Sequence, residues 1–261
     1  MTPIDVFVTC QAAIRAGVLI SRQSGRDKEF HFQDWFSARL TDCQIEYDDP
    51  GRNLYPDFRL VHSAEGFEVK GLAFPGRVAN YDCNSQVPSG LHNGRRIYYV
   101  FGHYPTTRES EFPVYDLVIC DGDFLNADHD YVHKNKNIKG FGSYGDLMIR
   151  DRKMYVAPTP FALTNGTAGQ LTLILKDEAL VSDARLRQVG KLLRREADSL
   201  VIGYTFDLEE NTLVPRLIPN PNAGRVHNFV AYRESNDTGP QVAMAQATCE
   251  ELLEDEDDSN P

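Results

Sequence analysis

The stretch Tyr55-Pro-Asp-Phe-Arg-Leu-Val-His-Ser-Ala-Glu-Gly-Phe-Glu-Val-Lys70 decides how the rest of the chain is read. Its apolar-rich segments, Asp57 to Val61 and Phe67 to Ala73, are separated by His62-Ser63-Ala64-Glu65-Gly66 and read as the arms of a β-hairpin. Successive strand side chains point to opposite faces, so Phe58 and Leu60 share one face while Asp57, Arg59 and Val61 share the other. On the second arm Phe67 and Val69 oppose Glu68 and Lys70. A turn at His62-Ser63 or one at Ala64-Glu65 gives two registers that differ by an even number of positions, so both keep this facing. Both predict Phe58, Leu60, Phe67 and Val69 against a core, with Asp57, Glu68 and Lys70 together on the far side. The tighter turn sets Asp57 directly across from Glu68, with Cβ atoms roughly 5 Å apart. Lys70 then stands about 7 Å further along the same face. This register accounts for the charges, whereas Gly66 suits the other.

Two carboxylates at that spacing can hold one divalent cation, and a neighbouring ammonium can position or help deprotonate a water. The layout resembles the PD-(D/E)xK nuclease motif, with Pro56-Asp57 as its first half and Glu68-Val69-Lys70 as its second. The resemblance implies an α/β fold, a mixed central β-sheet flanked by helices with a restriction-endonuclease-like core. It also implies a Mg²⁺-dependent, sequence-specific endonuclease acting on double-stranded DNA, as in type II restriction enzymes, with Mn²⁺ able to substitute. Asp57, Glu68 and the Val69 carbonyl would be the metal ligands, Lys70 would position the water, and Glu29, on a helix ahead of the hairpin, would support them. A homodimer is expected, because two symmetry-related sites cut both strands of a palindrome. Competing readings are a nuclease of the same superfamily acting in repair or junction resolution, a non-catalytic acidic binding protein, and a plain hairpin whose polar face is solvated.

The chain of 261 residues can build one substantial core, and its 41% apolar and 25% charged content is ordinary for a globular protein. The expected organisation is a single domain over 1–249, with a core at about 28–130 and DNA-contact and accessory elements at 76–96 and 129–235, then an acidic disordered tail at 250–261. No apolar run approaches a membrane span and the first residues lack a basic signal-peptide region, so no membrane partner and a cytoplasmic location are expected. Cys10, Cys43, Cys83, Cys120 and Cys249 are odd in number without CxxC spacing, which points to free thiols. The net charge of −11 argues against nucleic acid only until the tail is set aside: seven of its last twelve residues are acids and none is basic.

Phe7, Cys10, Ile14 and Val18 predict an N-terminal helix, and Phe32, Trp35, Phe36 and Leu40 a second one over Lys28 to Leu40. Arg96 to Gly102 and Val114 to Cys120 read as buried strands that complete the hairpin's sheet, and Asp121-Gly122-Asp123 as a turn or metal-binding strand end. Leu171 to Lys176, Leu200 to Phe206, Thr212 to Ile218 and Phe229 to Tyr232 read as further strands. Ser182 to Ala197 reads as a helix with Leu186, Val189, Leu192 and Leu193 inward and a basic outer face. DNA contacts are expected from the polar passage carrying Arg77, Asn80, Asn84, Ser85, Gln86, Arg95 and Arg96, whose amides and guanidinium groups suit base edges. The basic segment with Lys134, Lys136, Lys139, Ser143, Tyr144, Arg150, Arg152 and Lys153 suits phosphates. An ordinary surface loop and a solvated basic face remain the alternatives for these two segments. No P-loop, GxSxG or HExxH is present.

Overall fold

A computed structural model describes residues 2–22, 28–48, 55–76, 78–83, 87–107, 109–127, 142–149, 155–178 and 181–245. In chain order the first half comprises α1 (Thr2–Arg15), β1 (Ile20–Ser21), α2 (Lys28–Asp42), β2 (Tyr47–Asp48), β3 (Phe58–Leu60), β4 (Glu65–Phe74), β5 (Asn80–Asp82), β6 (Leu91–His92), β7 (Arg95–Pro105), β8 (Glu111–Phe112) and β9 (Asp116–Asp121). The second half comprises β10 (Met148–Ile149), β11 (Tyr155–Pro158), α3 (Pro160–Leu163), β12 (Thr164–Asn165), β13 (Leu171–Lys176), β14 (Leu186–Arg195), β15 (Ser199–Asp207), β16 (Thr212–Pro219), β17 (Val226–Glu234) and β18 (Ala243–Met244).

The architecture is mixed α/β and strand-rich. One sheet runs in the order β14, β17, β13, β9, β7, β4, β3, β2, with β6 added on β7. It is mixed in direction: β4 lies parallel to β7 and β9 parallel to β13, while the pairs β3 with β4 and β7 with β9 are antiparallel. Period-two alternation divides the core. On one face Phe67, Val69, Val100, Ile119 and Leu173 pack with Phe7, Phe32, Phe36 and Leu40 of the two long helices. On the other, Tyr99, Phe101, Val118, Cys120 and Ile174 pack with Tyr81 and Ala157 of the small sheet β10, β11, β5. The two long helices therefore cover one face among the described residues, while the short α3 lies on the other side. Gly71 and Gly102 sit side by side in the β4 and β7 ladder, and a Cβ on Gly102 would come within 2.3 Å of the Phe32 ring. The paired glycines form the floor on which Phe32 rests.

Three expectations need correction. Ser182 to Ala197 is not a helix; it contains strand β14, paired antiparallel with β17. The register shifts between Gln188 and Gly190, so one extra residue separates Val189 from the inward positions Leu192 and Arg194. That bulge turns a two-residue repeat into a three-residue spacing, which imitates one helical turn. Leu193, expected inward, is exposed. At the N-terminus α1 ends at Arg15, so Val18 lies beyond it and is exposed. Cys10, Cys43, Cys83 and Cys120 are free thiols, as expected, whereas Cys249 and the 250–261 tail lie outside the described residues. No helix among those residues is long and apolar enough to cross a membrane.

Candidate metal and catalytic site

In the hairpin Phe58 faces Phe67 and Arg59 faces Gly66, so the same register places Asp57 beside Glu68. This is the tighter-turn register. Gly66 belongs to the strand and not to a turn: a Cβ there would lie 2.7 Å from Pro56 Cγ and 2.9 Å from the Phe58 carbonyl. Glycine lets the two arms close at this level.

The carboxylates are held by the backbone of the opposite arm. The Val69 amide donates to Asp57 Oδ2 at 2.8 Å, and the Asp57 amide donates to Glu68 Oε2 at 3.2 Å. Lys70 Nζ lies 2.8 Å from Glu68 Oε1, with both side chains only 12% exposed. Charge-assisted bonds of this kind fix the rotamers of both acids and keep a largely desolvated carboxylate compensated.

The wall around these groups is aromatic. Tyr99 pairs with Glu68 across the parallel β4 and β7 ladder, and its hydroxyl lies 2.9 Å from that of Tyr55. The Tyr55 hydroxyl also donates to the Ser89 carbonyl at 3.3 Å, and its ring meets His92 edge-on at 4.8 Å. Burial first, and then the charge of Glu68, holds the Tyr55 phenol well above its ordinary range. Burial pushes the Cys83 thiol up to about 12. The His92 imidazole is drawn below its ordinary value by burial and then by Arg59, against an opposite pull from Glu68. At neutral pH the wall is thus uncharged and surrounds a small charged group, a setting in which each charge acts more strongly than in water. Tyr55, His92 and Tyr99 were not singled out from the sequence, although Tyr55 directly precedes the Pro56-Asp57 pair.

Among the described residues no group of three or more His, Cys, Asp or Glu side chains converges on a metal-sized point. A zinc or calcium cage of side chains is therefore not formed by them. The Asp57 and Glu68 pair fits the demand of Mg²⁺, which keeps several waters and takes one or two carboxylates.

Those of the remaining expected site residues that are described are dispersed. Glu29 lies in the first turn of α2, whose packed face covers the sheet side opposite Glu68 and Lys70. Asp121 and Asp123 are buried and pair with basic side chains: Arg96 Nη1 lies 3.4 Å from Asp121 Oδ1 and 3.0 Å from Asp123 Oδ2, and Lys176 also contacts Asp123. Burial, then the Asp123 charge, pushes the Asp121 carboxyl up to about 6. Arg95 Nη1 donates to the carbonyls of Leu60 at 2.8 Å and Ser63 at 3.0 Å, so its guanidinium braces the hairpin turn. Asn80 is buried in β5. Ser143 is fully buried and its hydroxyl donates to Asn126, a structural role that takes it out of reach of a duplex. The Tyr144 hydroxyl donates to the Asp123 carbonyl at 2.5 Å and its ring lies under Arg194. Arg77, Asn84, Ser85, Gln86, Lys134, Lys136, Lys139, Arg150, Arg152 and Lys153 lie outside the described residues.

No protein-family model matches this chain, and neither a curated protein nor a solved structure matches it.

Proposed function

We propose that this chain is a Mg²⁺-dependent endonuclease that hydrolyses phosphodiester bonds in double-stranded DNA, with a hairpin core of the restriction-endonuclease kind. The observation that carries the reading is the placement of Asp57 beside Glu68, each acid bonded to the opposite arm, with Lys70 2.8 Å from Glu68. The run of β3 antiparallel to β4, and β4 parallel to β7, supports the finer fold reading. Asp57 and Glu68, with the Val69 carbonyl, would hold the cation, which when bound offsets phosphate charge and lowers the pKa of a coordinated water. Lys70 supplies an ammonium beside the same carboxylate, placed to orient the attacking water and to balance charge at the phosphate. The neutral phenols of Tyr55 and Tyr99 line the site and limit solvent around these charges. Asn80 and Ser143 are buried and serve the fold in this reading, whereas Arg95, Arg96 and Tyr144 brace neighbouring elements from partly exposed positions.

Incubating the purified protein with plasmid and phage DNA, with Mg²⁺ and with a chelator, tests the reading. Discrete fragments that need the metal and vanish in Asp57→Asn support it. Intact DNA under all metal conditions overturns it. Cleavage confined to branched or damaged substrates would move the activity to repair or junction resolution.

A further inference from the structure

Strands β15 and β16 form a two-stranded ribbon of their own, joined by the turn at Leu208 to Asn211, and neither outer edge carries a strand partner among the described residues. Directly paired residues share a face, so the pairs Tyr204 with Pro215 and Val201 with Leu217 stand on one side, joined by Phe206 at the next step toward the tip. The register shift between Val201 and Gly203 keeps Val201 on that side. The result is an apolar face on which Phe206 and Leu217 are 54% and 55% exposed, with Leu208 at the tip 84% exposed. The opposite face is mixed, with Thr205, Thr212 and Arg216 beside Val214, which is 43% exposed. A contiguous apolar face on a projecting ribbon marks an interaction surface.

Charge along the ribbon identifies the partner. The tip carries Asp207, Glu209 and Glu210 with no base. The root carries exposed Arg195 and Arg225 against one exposed acid, Asp198, and Arg216 lies midway. An object acidic at one end and basic at the other is complementary to itself when reversed. We infer that this ribbon is a dimerisation arm that packs its Val201, Tyr204, Phe206, Pro215 and Leu217 face against the same face of a second copy of the chain. The two arms run antiparallel about a two-fold axis, and each acidic tip covers the partner's basic root. Such an isologous contact needs one surface only and closes at two copies. Alternate side chains of these nine- and eight-residue strands lie on this face, so with the tip and the root the contact is a small one, at the low end of stable interfaces. The inference does not depend on the nuclease reading.

Sedimentation velocity of the full chain tests it. Wild type should sediment as a dimer at micromolar concentration. Phe206→Asp with Leu217→Asp should weaken association roughly 30-fold or more, with unchanged circular dichroism. Glu209→Lys with Glu210→Lys should also weaken it, because like charges then meet at the roots, and adding Arg195→Glu with Arg225→Glu should restore it. A wild-type monomer, or a dimer that survives Phe206→Asp with Leu217→Asp, overturns the inference. Loss of association in the tip variant without recovery in the four-fold swap overturns the antiparallel arrangement.

Discussion

Lys70→Met separates chemistry from architecture at the hairpin. Lys70 Nζ lies 2.8 Å from Glu68 Oε1 and both side chains are 12% exposed, so removing the ammonium strands a carboxylate where little water can replace it. Breaking a buried ion pair from one side costs about 3–5 kcal/mol. The bond from the Asp57 amide to Glu68 Oε2 remains, which puts Lys70→Met near about 3 kcal/mol, the low end of that range. Glu68→Gln with Lys70→Met removes both members of the ion pair and should cost less than the sum of the two single changes, by roughly 1.5 kcal/mol or more. Urea unfolding at pH 7 of wild type, both single variants and the double variant reads these values from the midpoints, with m unchanged. Plasmid cleavage far below those midpoints reads the chemistry, and all three variants should be at background. A Lys70→Met protein as stable as wild type would refute the desolvated pair. One that cuts at nearly the wild-type rate would refute the site.

The ring of Phe67 is fully buried, 5.4 Å from that of Phe36 and 5.6 Å from that of Tyr98, so Phe67→Ala should lose about 3–5 kcal/mol, read as a lower melting temperature. Gly66→Ala would drive a methyl into Pro56 and the Phe58 carbonyl, and should cost about 1–3 kcal/mol and slow cleavage by displacing Asp57 from Glu68; wild-type stability would contradict the close approach. Asp121, raised from 3.8 to about 6, keeps its proton in the folded chain after the unfolded chain has lost it, so its contribution to stability is full below about pH 4 and is lost as pH rises through about 6. Asp121→Asn should therefore gain on wild type between pH 4.5 and 7, by up to about 3 kcal/mol in urea midpoints, and a pH-independent difference would refute the buried ionisation.

The hairpin was legible because its signal is local. Phe58, Leu60, Phe67 and Val69 alternate with polar partners over a few residues, and facing follows from the two-residue period alone. Leu171 to Lys176 was read with its observed bounds for a similar reason, being a short β-branched run between turns. Around Val189 the same logic failed: the bulge at Gly190, where a Cβ would meet the Val242 carbonyl at 2.1 Å, changes the period, and Arg194 points inward to Asp146 and the Tyr144 ring. Tertiary contact decided that segment. Tyr99 reaches Glu68 only through a parallel ladder whose strands are separated by the whole 75–94 segment, and no local pattern encodes that register. Arg95 illustrates the converse, since one nitrogen of a group suited to guanine edges bonds the carbonyls of a neighbouring turn, a contact that the residue type alone does not announce.

The two backbone bonds between Asp57, Glu68 and Val69 also bear on the order of assembly. They join residues 11 and 12 positions apart, so closing this loop costs about 1.7 kcal/mol less chain entropy than the β5 and β11 pairing, which brings Asn80 to Pro158. The acids and their orientation thus belong to a short cassette that can form early in folding, before the distant strands that wall it in.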